Sequence, residues 1–443
     1  MMFRLFVRKW IYAPSSRRLF MRLPALASLL VLVAGLCGCD AASETKPQAT
    51  AAAPVAPGPI AADALGRLAR GSNAFGFDLF KRVRAKPGNL VVSPASITTA
   101  LAMTWGGAKG ETAEQMQRVL RFEGAPAEVM DTSGKLAAML QDPARPITFR
   151  IVNRLFGDKA YQFDAAYLAA MKIMYRAPLE PLDFKNAFEP ARATINGWVE
   201  QQTNKRIAGL IPQGGVNGET RLVLVNAICF LGDWTDPFDK AFPAPFSTTP
   251  SARKDVPTMH REGRFRLADK DGVKALELPY KGNAMSMLIV LPNEPDGLDA
   301  VETSLDAAKL DALARAASPQ QVAVALPKFE IAPANSLSLR AELVNMGMVL
   351  AFDRVRADFT GIANPPSPAD RLFISQVFHK AFVRVDEKGT EAAAATAVVA
   401  ERVRGGISKL VQFKADHPFL FFIRDTASGL VLFAGRVADP SIN

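Results

Sequence analysis

The hydrophobic pattern changes period along the chain. Helical spacing runs through Leu65–Arg84 and stops at KPGN, where proline and glycine break it. Asn89–Val92 is a short apolar run that reads as a strand, and Ser93-Pro94 opens a helix through Met103. Glu111–Leu120 and Phe188–Thr203 predict helices, whereas Ile147–Phe156 alternates as a strand and Arg221–Phe230 is a long apolar strand. Between Phe246 and Glu330 the segments GRFRLAD, VKALELPY, MSMLIVLP and QVAVALPKFEI read as strands separated by turns. Leu337–Met346 reads as a helix, and from Phe373 to the end the order is strand, loop, strand. Helices dominate early and strands late, with no internal repeat. The pattern predicts one α+β domain built on large, mostly antiparallel sheets with surrounding helices.

One segment resists this reading. Lys388 to Lys409, KGTEAAAATAVVAERVRGGISK, is rich in the best helix former, yet lies between two strand-like runs, FHKAFVRVDE and KLVQFKADHPFLFFIRD. Gly389 bounds it on one side and Gly405-Gly406 on the other. Read with a strand period, its charges sort. Thr390, Ala392, Ala394, Thr396, Val398 and Ala400 form an uncharged set, whereas Glu391 and Glu401 fall in the alternate set, and the first exception is Arg402. A connecting loop gains nothing from such sorting. A strand that will bury one face does.

Composition narrows the classes. Hydrophobic residues make up 49% and charged residues 22% of 443, the balance of a folded globular protein. The net charge of +10 overstates the basicity of the domain: residues 1–38 hold six cations and no acid, which leaves +4 for the rest. No cluster of Lys and Arg interleaved with aromatics remains, so nucleic acid is not an expected partner.

The basic leader continues into the apolar run Leu23–Leu36 and ends in LCGC, a pattern that resembles the lipobox of bacterial lipoproteins. There Cys39 becomes the lipid-modified first residue; Cys37 fits less well because bulky Leu36 precedes it. An ordinary secretory leader cut after Ala41, and a start at Met21, remain alternatives. Residues 39–66 then form an Ala/Pro-rich tether between the signal of residues 1–38 and a folded domain at 67–443. The expected location is the cell envelope, periplasm or cell surface, with the membrane reached through the lipid. Cys229, the one cysteine in the domain, lies in the apolar strand and reads as a core residue.

Enzyme signatures are missing. The chain has no G-x-S-x-G elbow and no H-E-x-x-H, and WGGAKGET has the wrong spacing for a phosphate loop. His260, His379 and His417 have no partner at metal-ligand spacing, so no metal, cofactor or catalytic set is expected. His379, within ISQVFHKAFV, reads as a buried, hydrogen-bonded histidine.

The segment DEKGTEAAAATA resembles the mobile hinge of the serpins, the protease inhibitors that trap their targets by a conformational change. NLVVSPASITTALAMTWGGAKGETAEQM, RLVLVNAICFLGDWTDPF, LPYKGNAMSMLIVLPNE, VALPKFEI, LVNMGMVLAFD and DHPFLFFIRDTASGLVLFAGRVADP follow in the family's order over nearly all of residues 67–443. Leu231 departs from the family's usual lysine. The resemblance implies a serpin fold, a monomer, and an exposed reactive-centre loop at about 387–409 whose hinge comprises Glu387, Gly389, Thr390, Ala392, Ala394 and Thr396. It also implies a mechanism. A serine protease cuts the loop, and the freed half enters the central sheet as a new strand, carrying the acylated protease along. Fifteen residues of strand give a travel of about 50 Å. Ser93, Pro94, Ser96, Asn226 and His379 match the region where the central strands part, and Trp234 the place where insertion begins.

Fifteen residues counted from Gly389 put the scissile bond at Val403–Arg404, which suits an elastase-like pocket. Cleavage after Arg404, or after Arg402, would suit trypsin-like enzymes instead. A non-inhibitory member acting as a surface binding module is the other reading, and such members tend to carry bulky or charged hinge residues. This hinge carries neither on its uncharged set.

Overall fold

A computed structural model describes residues 60–142, 144–390 and 410–442; Cys39, Ala392, Ala394, Thr396, Arg402, Val403 and Arg404 lie outside them. Nine helices are formed among the described residues: α1 (Ala62–Val83), α2 (Pro94–Trp105), α3 (Gly110–Leu120), α4 (Pro126–Leu140), α5 (Ala165–Tyr175), α6 (Phe184–Gln202), α7 (Leu298–Ser304), α8 (Ala307–Ala316) and α9 (Arg340–Asn345). Helix α1 begins at Ala62, inside the segment expected to be tether, where Ile60 and Leu65 pack onto the core. Among the described residues no helix is long and apolar enough to cross a membrane.

The central sheet has six strands in the order β10 (Phe329–Ile331), β13 (Val383–Val385), β14 (Gly389–Thr390), β4 (Leu222–Asp233), β2 (Thr148–Asp158) and β3 (Leu179–Leu182). All its pairs are antiparallel except β2–β3. A second sheet has the order β1 (Leu90–Val92), β17 (Val431–Val437), β16 (Phe419–Asp425), β8 (Met285–Pro292), β7 (Val273–Pro279), β6 (Ala252–Lys270), β9 (Ser318–Pro327) and β15 (Val411–Lys414), with β5 (Phe242–Thr249) paired to β6. A small ribbon joins β11 (Leu337–Ser338) to β12 (Phe378–His379).

Two hydrophobic clusters cover the faces of the central sheet. On one side Ile228 and Phe230 of β4 join the main core with α2 and the second sheet. On the other, Val225 of β4 packs with Ile195 and Val199 of α6. Because the side chains of a strand alternate, β4 serves both clusters with a continuous apolar run, which is why its sequence shows no alternation.

Leu337–Met346 differs from the helix expected of it. Leu337 and Ser338 pair with His379 and Phe378 as a strand, and the helix begins only at Arg340. Pairing to a distant segment overrides local helical preference there.

Candidate functional site at the loop base

The features singled out in the sequence lie at two places, one at an end of the central sheet and one beside it where α2 meets β12. At the upper end of the sheet β14 sits between β13 and β4. Gly389 pairs with Asp233 and Thr390 with Gly232 on β4, while Thr390 pairs with Val385 on β13. The loop expected to be exposed from about residue 387 therefore starts inside the sheet, with Thr390 only 1% exposed.

Gly389 owes its place to close approach. Its backbone is outside the left-handed region. A Cβ there would lie 2.0 Å from the Gly232 carbonyl oxygen and 2.7 Å from Asp233 Cα. Backbone on both counts, neither obstacle can rotate away, so any side chain would push β14 out of the ladder.

The three residues just before it are tied down. The Asp386 carboxylate accepts from the amides of Lys388 (2.9 Å) and Gly389 (3.3 Å), forming a tight turn. The Trp234 amide donates to the Lys388 carbonyl at 2.7 Å, and its indole N–H donates to the Asp386 carbonyl at 3.0 Å. Glu387 forms an ion pair with Lys328 at 2.9 Å and accepts from the Ala241 amide at 3.3 Å. Burial raises the Glu387 pKa, but the Lys328 ammonium and nearby amides outweigh it and hold the carboxyl below the usual glutamate value.

Trp234 is 1% exposed and stacks on Tyr280 with ring centroids 4.5 Å apart and planes at 14°. The phenol of Tyr280 and the hydroxyl of Thr390 share a hydrogen bond of 2.6 Å in which either oxygen can donate. Burial pushes the Tyr280 phenol far above the ordinary tyrosine pKa, so it stays neutral.

At the second place Ser93 caps α2: its hydroxyl accepts from the Ser96 amide at 3.2 Å, and Pro94 occupies the first helical position. Pro94 also packs against Gly76 of α1, where a Cβ would meet its ring at 2.6 Å. The Ser93 amide donates to Nε2 of His379 at 3.0 Å, so α2 is tied directly to β12. An Nε2 that accepts this bond is unprotonated, and burial brings the His379 pKa down to about 4. Asn226 lies mid-strand in β4, its backbone paired with Asn153 of β2.

Between β4 and the segment 371–379 is a cavity of about 170 Å³, lined by Ser96, Ile97, Leu224, Ile374, Phe378 and His379 among others. Thus Ser96 and His379 meet at one site, 93–94 adjoins it, and Trp234 belongs to a separate site at the upper end. Lys328, Tyr280 and Asp386 complete that upper site and were not singled out from the sequence. Lys328 and Tyr280 stand in VALPKFEI and LPYKGN, where neither the charge nor the phenol marks itself as facing a hinge far along the chain.

Comparison with known proteins agrees with this geometry. The family profile described as "Serpin (serine protease inhibitor)" matches residues 70–440. Leukocyte elastase inhibitor of Bos taurus is 40% identical over 389 residues, covering 84% of this chain and 100% of that protein. Among solved structures, uncleaved ovalbumin (33% identity, TM-score 0.74) covers 84% of this chain and 100% of its own. The cleaved form of Serpin 42Da (34%, TM-score 0.75) covers 85% of this chain and 99% of its own. By family profile, sequence identity and fold, this chain belongs to the serpin family of serine protease inhibitors and is not an enzyme.

Proposed function

We propose that this serpin traps serine proteases covalently by inserting its cleaved loop, residues 389–403, between β13 and β4. The observation that carries the reading is the register of β14. Insertion that continues the Gly389↔Asp233 and Thr390↔Gly232 pairs along β4 would bring Ala392 opposite Phe230, Ala394 opposite Ile228, Thr396 opposite Asn226 and Val398 opposite Leu224. Continued along the other neighbour from Val385↔Thr390, Ala394 would meet Ala381 and Thr396 would meet His379. Phe230, Ile228 and Ala381 belong to the main core. The uncharged set of the loop thus falls on the core face, and small side chains fit there at low desolvation cost. Among the described residues, β4 pairs with β2 along Leu222–Leu231 and has no ladder partner on its other side there.

On insertion in this register the alternate set would face the cluster under α6, since Ala397 would come opposite Val225. That differs from open solvent, the expectation a strand period alone gives. Insertion at the lower end must therefore work beneath α6. Glu401 would come opposite Arg221, a position where its charge finds a counterion.

The scissile bond we assign is Val403–Arg404, with an elastase-like target; cleavage after Arg404 or Arg402 would redirect it to trypsin-like enzymes. Lipidation at Cys39 would hold the inhibitor at the cell envelope. Incubation with elastase-like and trypsin-like proteases, followed by denaturing gels and mass spectrometry of the released C-terminal fragment, tests the trapping and the scissile bond. A gel-stable complex and a fragment starting at Arg404 are expected. Cleavage by every protease without a complex would sink the inhibitory reading.

A further inference from the structure

We infer that Tyr280 is the positioning residue that seats the first hinge side chain, and that position 390 requires a hydroxyl and not merely a small residue. This rests on the inhibitory reading for its kinetic consequence, but its structural content stands apart from it.

Tyr280 and Thr390 are 0% and 1% exposed, and their hydroxyls meet at 2.6 Å. Among the described residues neither hydroxyl has another hydrogen-bond partner. Small size alone would be met by alanine, as at Ala392 and Ala394. An alanine at 390 would leave a phenol without a partner inside a closed aromatic stack, the costly half of losing a hydrogen bond. A phenylalanine at 280 would do the same to Thr390.

The phenol is held in place from three sides. Its ring stacks on Trp234 at 4.5 Å and meets the Phe230 ring edge-on at 4.7 Å. The Tyr280 amide donates to the Met285 carbonyl at 3.0 Å, which fixes the backbone from which the ring projects. Trp234 in turn holds the chain before the hinge through Asp386 and Lys388. The same aromatic stack therefore grips residues 386–388 by their backbone and residue 390 by its side chain. Thr390 is paired on both sides, to Val385 and to Gly232, immediately before the segment that must move.

Two consequences follow. In the intact protein the hydroxyl pair favours the seated hinge over the released one by about threefold to tenfold, the range of one net hydrogen bond. After cleavage it secures the leading residue of the incoming strand, so its loss lets hydrolysis of the acyl-enzyme compete.

The test uses Tyr280→Phe, Thr390→Val, the double variant and Thr390→Ser in the otherwise unchanged protein. Hydrogen exchange at the Gly389 and Thr390 amides of the intact protein should speed up about threefold to tenfold in each single variant. The double variant should be no faster than either single one, and Thr390→Ser should match the wild type. The number of inhibitor molecules consumed per protease trapped should rise in the same order. Unchanged exchange in Tyr280→Phe, or effects that multiply in the double variant, would overturn the assignment. So would a failure of Thr390→Ser to retain protection, because a packing role would not follow the hydroxyl. If the wild type traps no protease, the inhibitory reading fails, and the exchange measurements still decide the role of Tyr280.

Discussion

A charge placed at Ala394 should convert the inhibitor into a substrate, and the size of the effect follows from its neighbours. In the inserted register Ala394 lies between Ile228 and Ala381, each 1% exposed. A glutamate there has no nearby cation among its ladder partners and faces the main core. The effective penalty for such an ion is several kcal/mol. Each 1.4 kcal/mol slows a step tenfold, so even half of a 4 kcal/mol penalty, felt while the strand is entering, slows insertion by roughly thirtyfold. Ala395 lies opposite Ala227 and faces the layer that Val225 shares with Ile195 and Val199 of α6. Glutamate at 395 is therefore not a harmless surface change either, although the side chain can leave toward the rim of α6. The expected order of inhibitor consumed per protease trapped is Ala394→Glu, then Ala395→Glu, then wild type, with at least a tenfold gap between the first and the last. Cleaved Ala394→Glu should also show the smallest gain in unfolding temperature over its intact form. Equal damage from the two variants, or a reversed order, would refute the register.

Other positions give separate tests. Gly389→Ala adds a methyl group against the Gly232 and Asp233 backbone; at about 1–3 kcal/mol for such overpacking, it should expose the Thr390 amide to exchange and raise the inhibitor consumed severalfold. His379 is neutral in the fold with a pKa near 4, against about 6.5 unfolded, so the unfolded chain binds the extra proton as pH falls from 6.5 to 4. Stability should drop by about 3 kcal/mol across that window, measured by denaturant unfolding, and His379→Asn should lose most of that pH slope. Val403→Arg should weaken inhibition of elastase-like enzymes and strengthen that of trypsin-like ones, read from association rates. Cys39→Ser should move the protein from the membrane fraction to the soluble one; a wild type that is already soluble, with Ala42 at its N-terminus, would contradict the lipid anchor.

The parts of the fold that sequence exposes are those whose own residues carry the pattern. Helix α2 is legible because Ser93-Pro94 marks its start, and β14 takes up Gly389 and Thr390, the first two residues of the charge-sorted GTEAAAATA. Helices α4 and α5 escape for physical reasons. In α4 the buried face includes Thr132, Ser133 and Gly134, so polar and small residues stand where an apolar stripe would announce a helix. Gly134 is there because a Cβ would lie 2.2 Å from the Met174 carbonyl oxygen of α5, and Ser133 bonds the Tyr175 hydroxyl at 2.6 Å. In α5, AAYLAAMKIMY is apolar on most sides, and Ile173 stays 78% exposed. Periodicity cannot report a helix whose exposed face is also apolar. The upper site is legible in part: Trp234 and Glu387 sit in recognisable segments, but their partners Tyr280 and Lys328 are set by tertiary contact across long separations. At Gly389 the Gly232 carbonyl, set by the fold and invisible in the sequence, is what excludes a side chain.

The most direct test of the central claim is the mass, measured after denaturation, of the species formed when the native protein meets an elastase-like protease. The account predicts an intact protease joined by an ester to a chain ending at Val403, with the fragment from Arg404 onward released. Detection of only the two cleaved fragments beside free, active protease would contradict it.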